Sequence, residues 1–238
     1  MDLSICIPTI GRRSLNNLLN SIRASKDESS INIEIIVASS TEINLHNDII
    51  VIKNPSKKAS VGRNICAKHA KGDYLVFIDD DCLLDTNYFT AIAKQLGNSN
   101  GFAGYVERLR DNNPLDTAWI YAGFDRYFSL PMLYSKLRWS PTANLVVLKE
   151  SFIDSRCFTE GLALVGGEDV EFGMRFTERY GPLKSMKEVK VYHAPLQYTP
   201  EAVSYCLNKA FLYGRSEQWL GRIYPKYLYD AEEDQAPQ

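Results

Sequence analysis

The chain has 238 residues, 45% of them hydrophobic and 24% charged, which is enough apolar sequence to bury one large core. Its formal net charge of −2 excludes a general nucleic-acid binder, because such a protein carries an excess of Lys and Arg to neutralise phosphates. The five cysteines, Cys6, Cys66, Cys82, Cys157 and Cys206, contain no CxxC pair, so the expectation is reduced thiols rather than a disulfide or zinc framework.

In chain order, "LSICIPTI" (3–10) reads as a strand stopped by Pro8. "SLNNLLNSIRAS" (14–25) follows as a helix, with Leu15, Leu18, Leu19 and Ile22 on one stripe and Ser14 as its N-cap. "INIEIIVASS" (31–40) and "IIVIKN" (49–54) are strands, and "SVGRNICAKHAKG" (60–72) is a helix ending at Gly72. "DYLVFIDDD" (73–81) is a fourth strand, and "TNYFTAIAKQLGN" (86–98) a helix opening on a Thr cap. Strands alternating with helices imply a mostly parallel sheet covered by helices.

The second half is less regular. "GFAGYVERL" (101–109) and "ANLVVLKE" (143–150) are strand-like, while 110–140 is rich in aromatics, Asp, Asn and Pro without clear periodicity. That segment is expected to be an irregular wall of the site that orders over a bound ligand. "GGEDVEFGMRFTERYG" (166–181) is a helix with a Gly-rich entry and a Gly exit, "KSMKEVKVYHA" (184–194) a late strand, and 200–222 a terminal helix. The expected organisation is one domain over 1–222 with a polar, disordered tail over 223–238. The N-terminal apolar run is too short for a signal peptide, and nothing approaches the roughly 20 apolar residues of a membrane span. The expected location is cytoplasmic, with peripheral contact at the inner face of a membrane left open by the basic and aromatic terminal segment.

Two constellations carry chemistry. Asp79, Asp80 and Asp81 follow a hydrophobic strand, and in a parallel sheet ligands bind beyond the carboxyl ends of the strands. Strand alternation would point Asp79 and Asp81 one way and Asp80 the other, making a hard-oxygen site for Mg²⁺ or Mn²⁺. The second is the Gly166-Gly167-Glu168-Asp169 run, where glycines admit close approach of a ligand and acidic residues open a helix. A further polar residue, His193, follows the strand "VKVY".

"LSICIPTIGRR", "IEIIVASS", "GRNICAKHAKGDYLVFIDDDC" and "FTEGLALVGGEDVEFGMRFTERYG", in that order and spacing, strongly resemble the inverting family 2 glycosyltransferases of GT-A fold. The resemblance spans roughly residues 3–195. It implies an α/β GT-A fold (nucleotide-diphospho-sugar transferase-like), with a mixed, mostly parallel central sheet flanked by helices. It also implies an inverting, metal-dependent glycosyltransferase of hexosyl- or N-acetylhexosaminyltransferase type. Such an enzyme moves a sugar from a nucleotide-diphosphate donor to a carbohydrate or glycoconjugate acceptor with Mn²⁺ or Mg²⁺.

By the same resemblance, Pro8, Thr9, Arg12, Ser39, Arg63, Asn64, Asp79 and Asp80 lie on the donor side. Asp81 and His193 hold the metal. Asp169 is the catalytic base and Glu168 its acidic neighbour. Trp139, Gly166 and Gly167 face the acceptor, with Trp139 either stacking on a sugar or filling the core. The sequence departs from the family after the second strand, where "IIVASST" places Ser39 and Ser40 in the usual position of a carboxylate, so the donor base stays open. Two other readings remain on the residues alone. A nucleotidyltransferase would need a Gly-rich basic loop after the first strand, and "PTIGRR" supports that poorly. A non-catalytic nucleotide-sugar-binding protein is disfavoured by the intact Asp81 and Asp169.

Overall fold

A computed structural model describes residues 2–25, 31–162 and 166–225. The first half runs β1 (Leu3–Thr9), α1 (Ser14–Ala24), β2 (Ile33–Ser39), β3 (Ile49–Lys53), α2 (Ala59–His69), β4 (Tyr74–Ile78), β5 (Cys82–Leu84) and α3 (Tyr88–Ala93). The second half runs β6 (Gly101–Arg108), α4 (Pro114–Tyr121), a 3-10 turn (Arg126–Ser129), α5 (Leu130–Leu133), β7 (Lys136–Leu137), β8 (Asn144–Leu148), α6 (Lys149–Asp154), α7 (Glu168–Tyr180), β9 (Leu183–His193) and α8 (Pro200–Ile223). The polar tail expected over 223–238 lies almost wholly outside the described residues.

Among the described residues the strands form one nine-stranded sheet in the order β3-β2-β1-β4-β8-β6-β9-β5, with β7 pairing β9. β1 pairs in parallel with β2 and β4, and β3 with β2. β8 runs antiparallel to both β4 and β6, which turns β6 and its parallel neighbour β9 back to the direction of β1. The carboxyl ends of β1, β2, β4, β6 and β9 therefore share one edge of the sheet, and Thr9, Ser39, Ile78, Arg108 and His193 stand along it. This is the edge where an open α/β sheet binds ligands.

Every residue of β1 and β4 is buried. Both faces of a central parallel strand are covered, so β4 is apolar throughout and β1 interrupts its apolar run only with Ser4 and Thr9, both hydrogen-bonded. Alternation still sorts its side chains. Leu3, Ile5 and Ile7 of β1 pack with the α1 stripe on one face, and Cys6 packs with Cys66 and Ala67 of α2 on the other. All five cysteines are free thiols.

Several expectations are corrected. Ser14 is the first helical residue and Arg13 occupies the cap position of α1. The helix expected over 86–98 is only Tyr88–Ala93, and Asn87 rather than Thr86 precedes it. The segment 110–140 is largely helical. Asn113 accepts a hydrogen bond from the Asp116 amide at 2.8 Å, and Pro114 fits the first turn of α4. Its periodicity is hidden because α4 buries the charged Asp116 beside Trp119. No helix among the described residues is long and apolar enough to cross a membrane. α8 buries Cys206, Ser216 and Leu220, and leaves Leu207 and Phe211 exposed.

Candidate active site

The three aspartates leave the end of β4 in different directions. The strand stops at Ile78, so strict alternation no longer applies, and the expected separation of Asp80 from Asp81 is corrected. Asp79 meets Arg63 at 2.6 Å. Asp80 accepts a hydrogen bond from the Thr9 hydroxyl at 2.5 Å, and Arg12 reaches Asp80 at 3.4 Å and Asp81 at 2.8 Å. The Thr9 hydroxyl also accepts from the Gly11 amide. Thr9 and Arg12 thus tie the end of β1 to the acidic turn, and the buried Pro8 packs against Gly62 of α2.

The charges follow the contacts. Burial would raise Asp79, yet the Arg63 guanidinium holds it below the ordinary carboxylate range. Asp80 is pushed up to about 6, chiefly by its own burial. Asp169 is pushed up to about 7 by burial and then by the neighbouring Glu168, although the Val170 amide donates to it at 2.9 Å. A carboxylate near 7 is poised to accept a proton at neutral pH.

Arg63 joins the two acidic motifs. It is 3% exposed, and its Nη2 meets Asp79 while its Nη1 meets Glu168 at 3.0 Å. Its planar fork suits such a double contact. Asn64, beside it in α2, points elsewhere. Its side-chain amide donates to the Phe158 carbonyl at 2.8 Å and to Glu160 at 2.9 Å, and accepts from the Phe158 amide at 3.0 Å. Both hydrogens of its amide are spent on the 158–160 loop, which Asn64 clamps to α2.

His193 ends β9 facing the aspartates. Its Nε2 lies 3.3 Å from Asp81 Oδ1, and that oxygen is buried with no hydrogen-bond partner among the described residues. Cys82 Sγ lies within 4.8 Å of both, but burial and the Asp79 and Asp81 charges push its thiol well up, leaving it neutral. An unsatisfied carboxylate oxygen facing an imidazole nitrogen fits a divalent cation. Behind it, His193 Nδ1 lies 3.2 Å from Arg108, and Arg108 meets the almost fully buried Asp116 at 2.6 Å. This supporting network escaped the sequence because Arg108 and Asp116 belong to no motif.

The glycines serve packing. Gly166 and Gly167 have φ of +76° and +95°, in the left-handed region that favours glycine. A Cβ on Gly166 would lie 2.6 Å from the Tyr213 ring of α8, and one on Gly167 would lie 3.0 Å from Leu220. α8 approaches both glycines closely. Trp139 is 7% exposed among Val170, Met174 and Leu220, with Tyr127 edge-on at 4.8 Å, so of its two expected roles it fills the core. The Ser39 hydroxyl donates to the Thr41 carbonyl at 2.8 Å and closes the turn after β2. Its neighbour Ser40 has a buried Oγ without a partner among the described residues.

The family described as glycosyl transferase family 2 matches residues 4–134, over half of the chain. The "Succinoglycan biosynthesis protein ExoM" of Rhizobium meliloti (strain 1021) is 24% identical, across 94% of this chain and 74% of that protein. Among solved structures, S. aureus TarS 1-349 superposes with a TM-score of 0.62 at 15% identity, covering 96% of this chain and 75% of that one. The mannosyltransferase PcManGT from Pyrobaculum calidifontis, in complex with GDP-Man and Mn²⁺, gives a TM-score of 0.66 at 15% identity, covering 92% and 64%.

Proposed function

Since the chain belongs to glycosyl transferase family 2 and is a glycosyltransferase of GT-A fold, we propose that it transfers a sugar from a nucleoside diphosphate donor to an acceptor hydroxyl with inversion, using a divalent cation. One observation carries the proposal: Arg63 locks the acidic turn after β4 to the start of α7. Leaving-group and base chemistry are thereby held at a fixed separation.

Asp169 takes the proton from the acceptor hydroxyl as its oxygen attacks the anomeric carbon from the face opposite the departing diphosphate. A single in-line displacement needs no enzyme nucleophile and inverts the anomeric centre. Glu168, neutralised in part by Arg63, raises the basicity of Asp169 through its charge. Asp81 and His193 would hold Mn²⁺ or Mg²⁺, which supplies Lewis-acid stabilisation of charge on the leaving diphosphate. PcManGT was solved with Mn²⁺ and GDP-Man, and TarS with UDP-GlcNAc, which supports a cation and a nucleotide-sugar donor here. Ser40, just after β2 and with no partner for its hydroxyl among the described residues, is the better candidate than Ser39 for a hydrogen bond to the base.

The test is a panel of uridine and guanosine diphosphate sugars, incubated with oligosaccharide acceptors and Mn²⁺, with product anomers read by NMR. Transfer with inverted configuration supports the proposal. Retained configuration, or equal turnover in EDTA, removes the corresponding part.

A further inference from the structure

Tyr205, Lys209 and Tyr213 recur at every fourth position of α8 and so share one stripe of that helix. The stripe runs along the site. Tyr205 lies within electrostatic reach of Arg12, Lys209 of Asp79, and Tyr213 of Asp169 and Glu168. The Tyr213 ring is seated against Gly166, which fixes the stripe to the entry of α7.

Lys209 is the unusual member. A lysine that only packs its stem sends its ammonium out to water. Here the ammonium turns inward among rings, 5.3 Å from Tyr213, 5.5 Å from Tyr205 and 5.8 Å from Trp119 of α4. Burial works against its charge, yet Tyr213, Tyr205 and Asp79 hold its pKa above the ordinary lysine value, so it stays cationic at neutral pH.

The charge balance says what that cation is for. Asp79, Asp80, Asp81, Glu168 and Asp169 crowd this edge of the sheet, and Arg12 and Arg63 are already paired with four of them. An incoming diphosphate finds those two guanidiniums engaged. Lys209 is hydrogen-bonded to Tyr213 and feels Asp79 at a distance, but it makes no salt bridge with a carboxylate among the described residues, and its charge can still face an anion. Resting on the glycosyl-transfer reading, we infer that Lys209 makes a direct cationic contact to the diphosphate of the donor, with α8 forming the cover of the donor site. The terminal helix is then part of the binding machinery rather than an appendage.

The experiment measures binding of UDP and GDP, and of uridine and guanosine, to the full chain and to Lys209→Met, with Mn²⁺ and with EDTA. Methionine keeps the length and apolar packing among the rings while removing the charge. The expected result is a nucleoside diphosphate bound at least tenfold more weakly by Lys209→Met, in both Mn²⁺ and EDTA. Nucleoside affinity should be unchanged, with partial rescue of diphosphate affinity by Lys209→Arg. Unchanged diphosphate affinity overturns the inference and leaves the glycosyl-transfer reading intact. Equal loss for nucleoside and diphosphate means a packing role and also overturns it. A wild-type chain that binds neither diphosphate removes the donor reading itself, and this inference with it.

Discussion

The guanidinium of Arg63 lies 3.0 Å from Glu168, a residue 105 positions later in the chain. The same side chain holds Asp79, so one buried cation couples the end of β4 to the start of α7. Removing it would leave two carboxylates facing each other without compensation. Truncating one member of a buried ion pair costs about 3 kcal/mol or more. Arg63→Met is expected to lower the free energy of urea unfolding by that amount, and Arg63→Lys to recover only part, because an ammonium cannot make the forked contact. An unfolding free energy within about 0.5 kcal/mol of wild type, the ordinary range for surface changes, would show that the two carboxylates tolerate each other without Arg63.

Asp169→Asn is expected to keep donor affinity and to lose transfer by on the order of 10²–10⁴, the usual contribution of a general base. In the wild type, transfer should rise with pH through about 7 as Asp169 ionises. Rate–pH profiles at saturating donor check both statements, and near wild-type transfer by Asp169→Asn would assign the base elsewhere.

The same carboxyl makes a stability prediction of opposite sign. Its folded pKa lies above the unfolded value of about 3.9, so the folded state binds its proton more tightly. The stability it contributes is fully present below about pH 4 and is lost as pH rises through about 7. Asp169→Asn should therefore match wild type near pH 4 and melt at a higher temperature near pH 8. Thermal unfolding across that range measures the difference, and equal midpoints at pH 8 would contradict the raised pKa.

Asp81→Ala and His193→Ala should each weaken Mn²⁺ binding by tenfold or more, read directly as free Mn²⁺ by electron paramagnetic resonance without substrate. Asp80→Ala should weaken it less, because Asp80 is directed into Thr9 and Arg12. If all three variants bind Mn²⁺ like wild type, the Asp81–His193 pair holds no cation.

Asn64→Ala should leave nucleotide affinity unchanged while costing about 1–3 kcal/mol, the penalty for groups left unsatisfied in the 158–160 loop. Amide exchange at Phe158 should accelerate. A selective loss of nucleotide affinity with unchanged exchange would return Asn64 to the donor side.

Much of the fold was legible in the sequence because local rules and tertiary demands agree there. The parallel strands β1, β2 and β4 are rich in β-branched and other apolar residues, and the α1 stripe of Leu15, Leu18, Leu19 and Ile22 has helical spacing. The segment 110–140 was illegible because α4 buries a charged residue. Asp116 is 1% exposed yet satisfied by Arg108 and by the Leu196 amide, and nothing in the local sequence announces such distant partners.

The candidate site divides in the same way. The sequence by itself determined where the three aspartates go, because residues after a buried parallel strand project from the carboxyl edge of the sheet, whereas the fold brings Glu168 and Asp169 to them, since α7 follows the antiparallel β8. The sequence could not determine their partners. Arg63 is matched with Glu168, His193 with Asp81, and Tyr213 with Gly166 only when elements far apart in the chain pack together. Packing also ties Asn64 to the 158–160 loop, closes Ser39 into its own turn and seats Trp139 in the core. Hydrophobic periodicity is a local property of the chain, whereas the cost of burying a charge is met by whichever residue the folded packing places beside it.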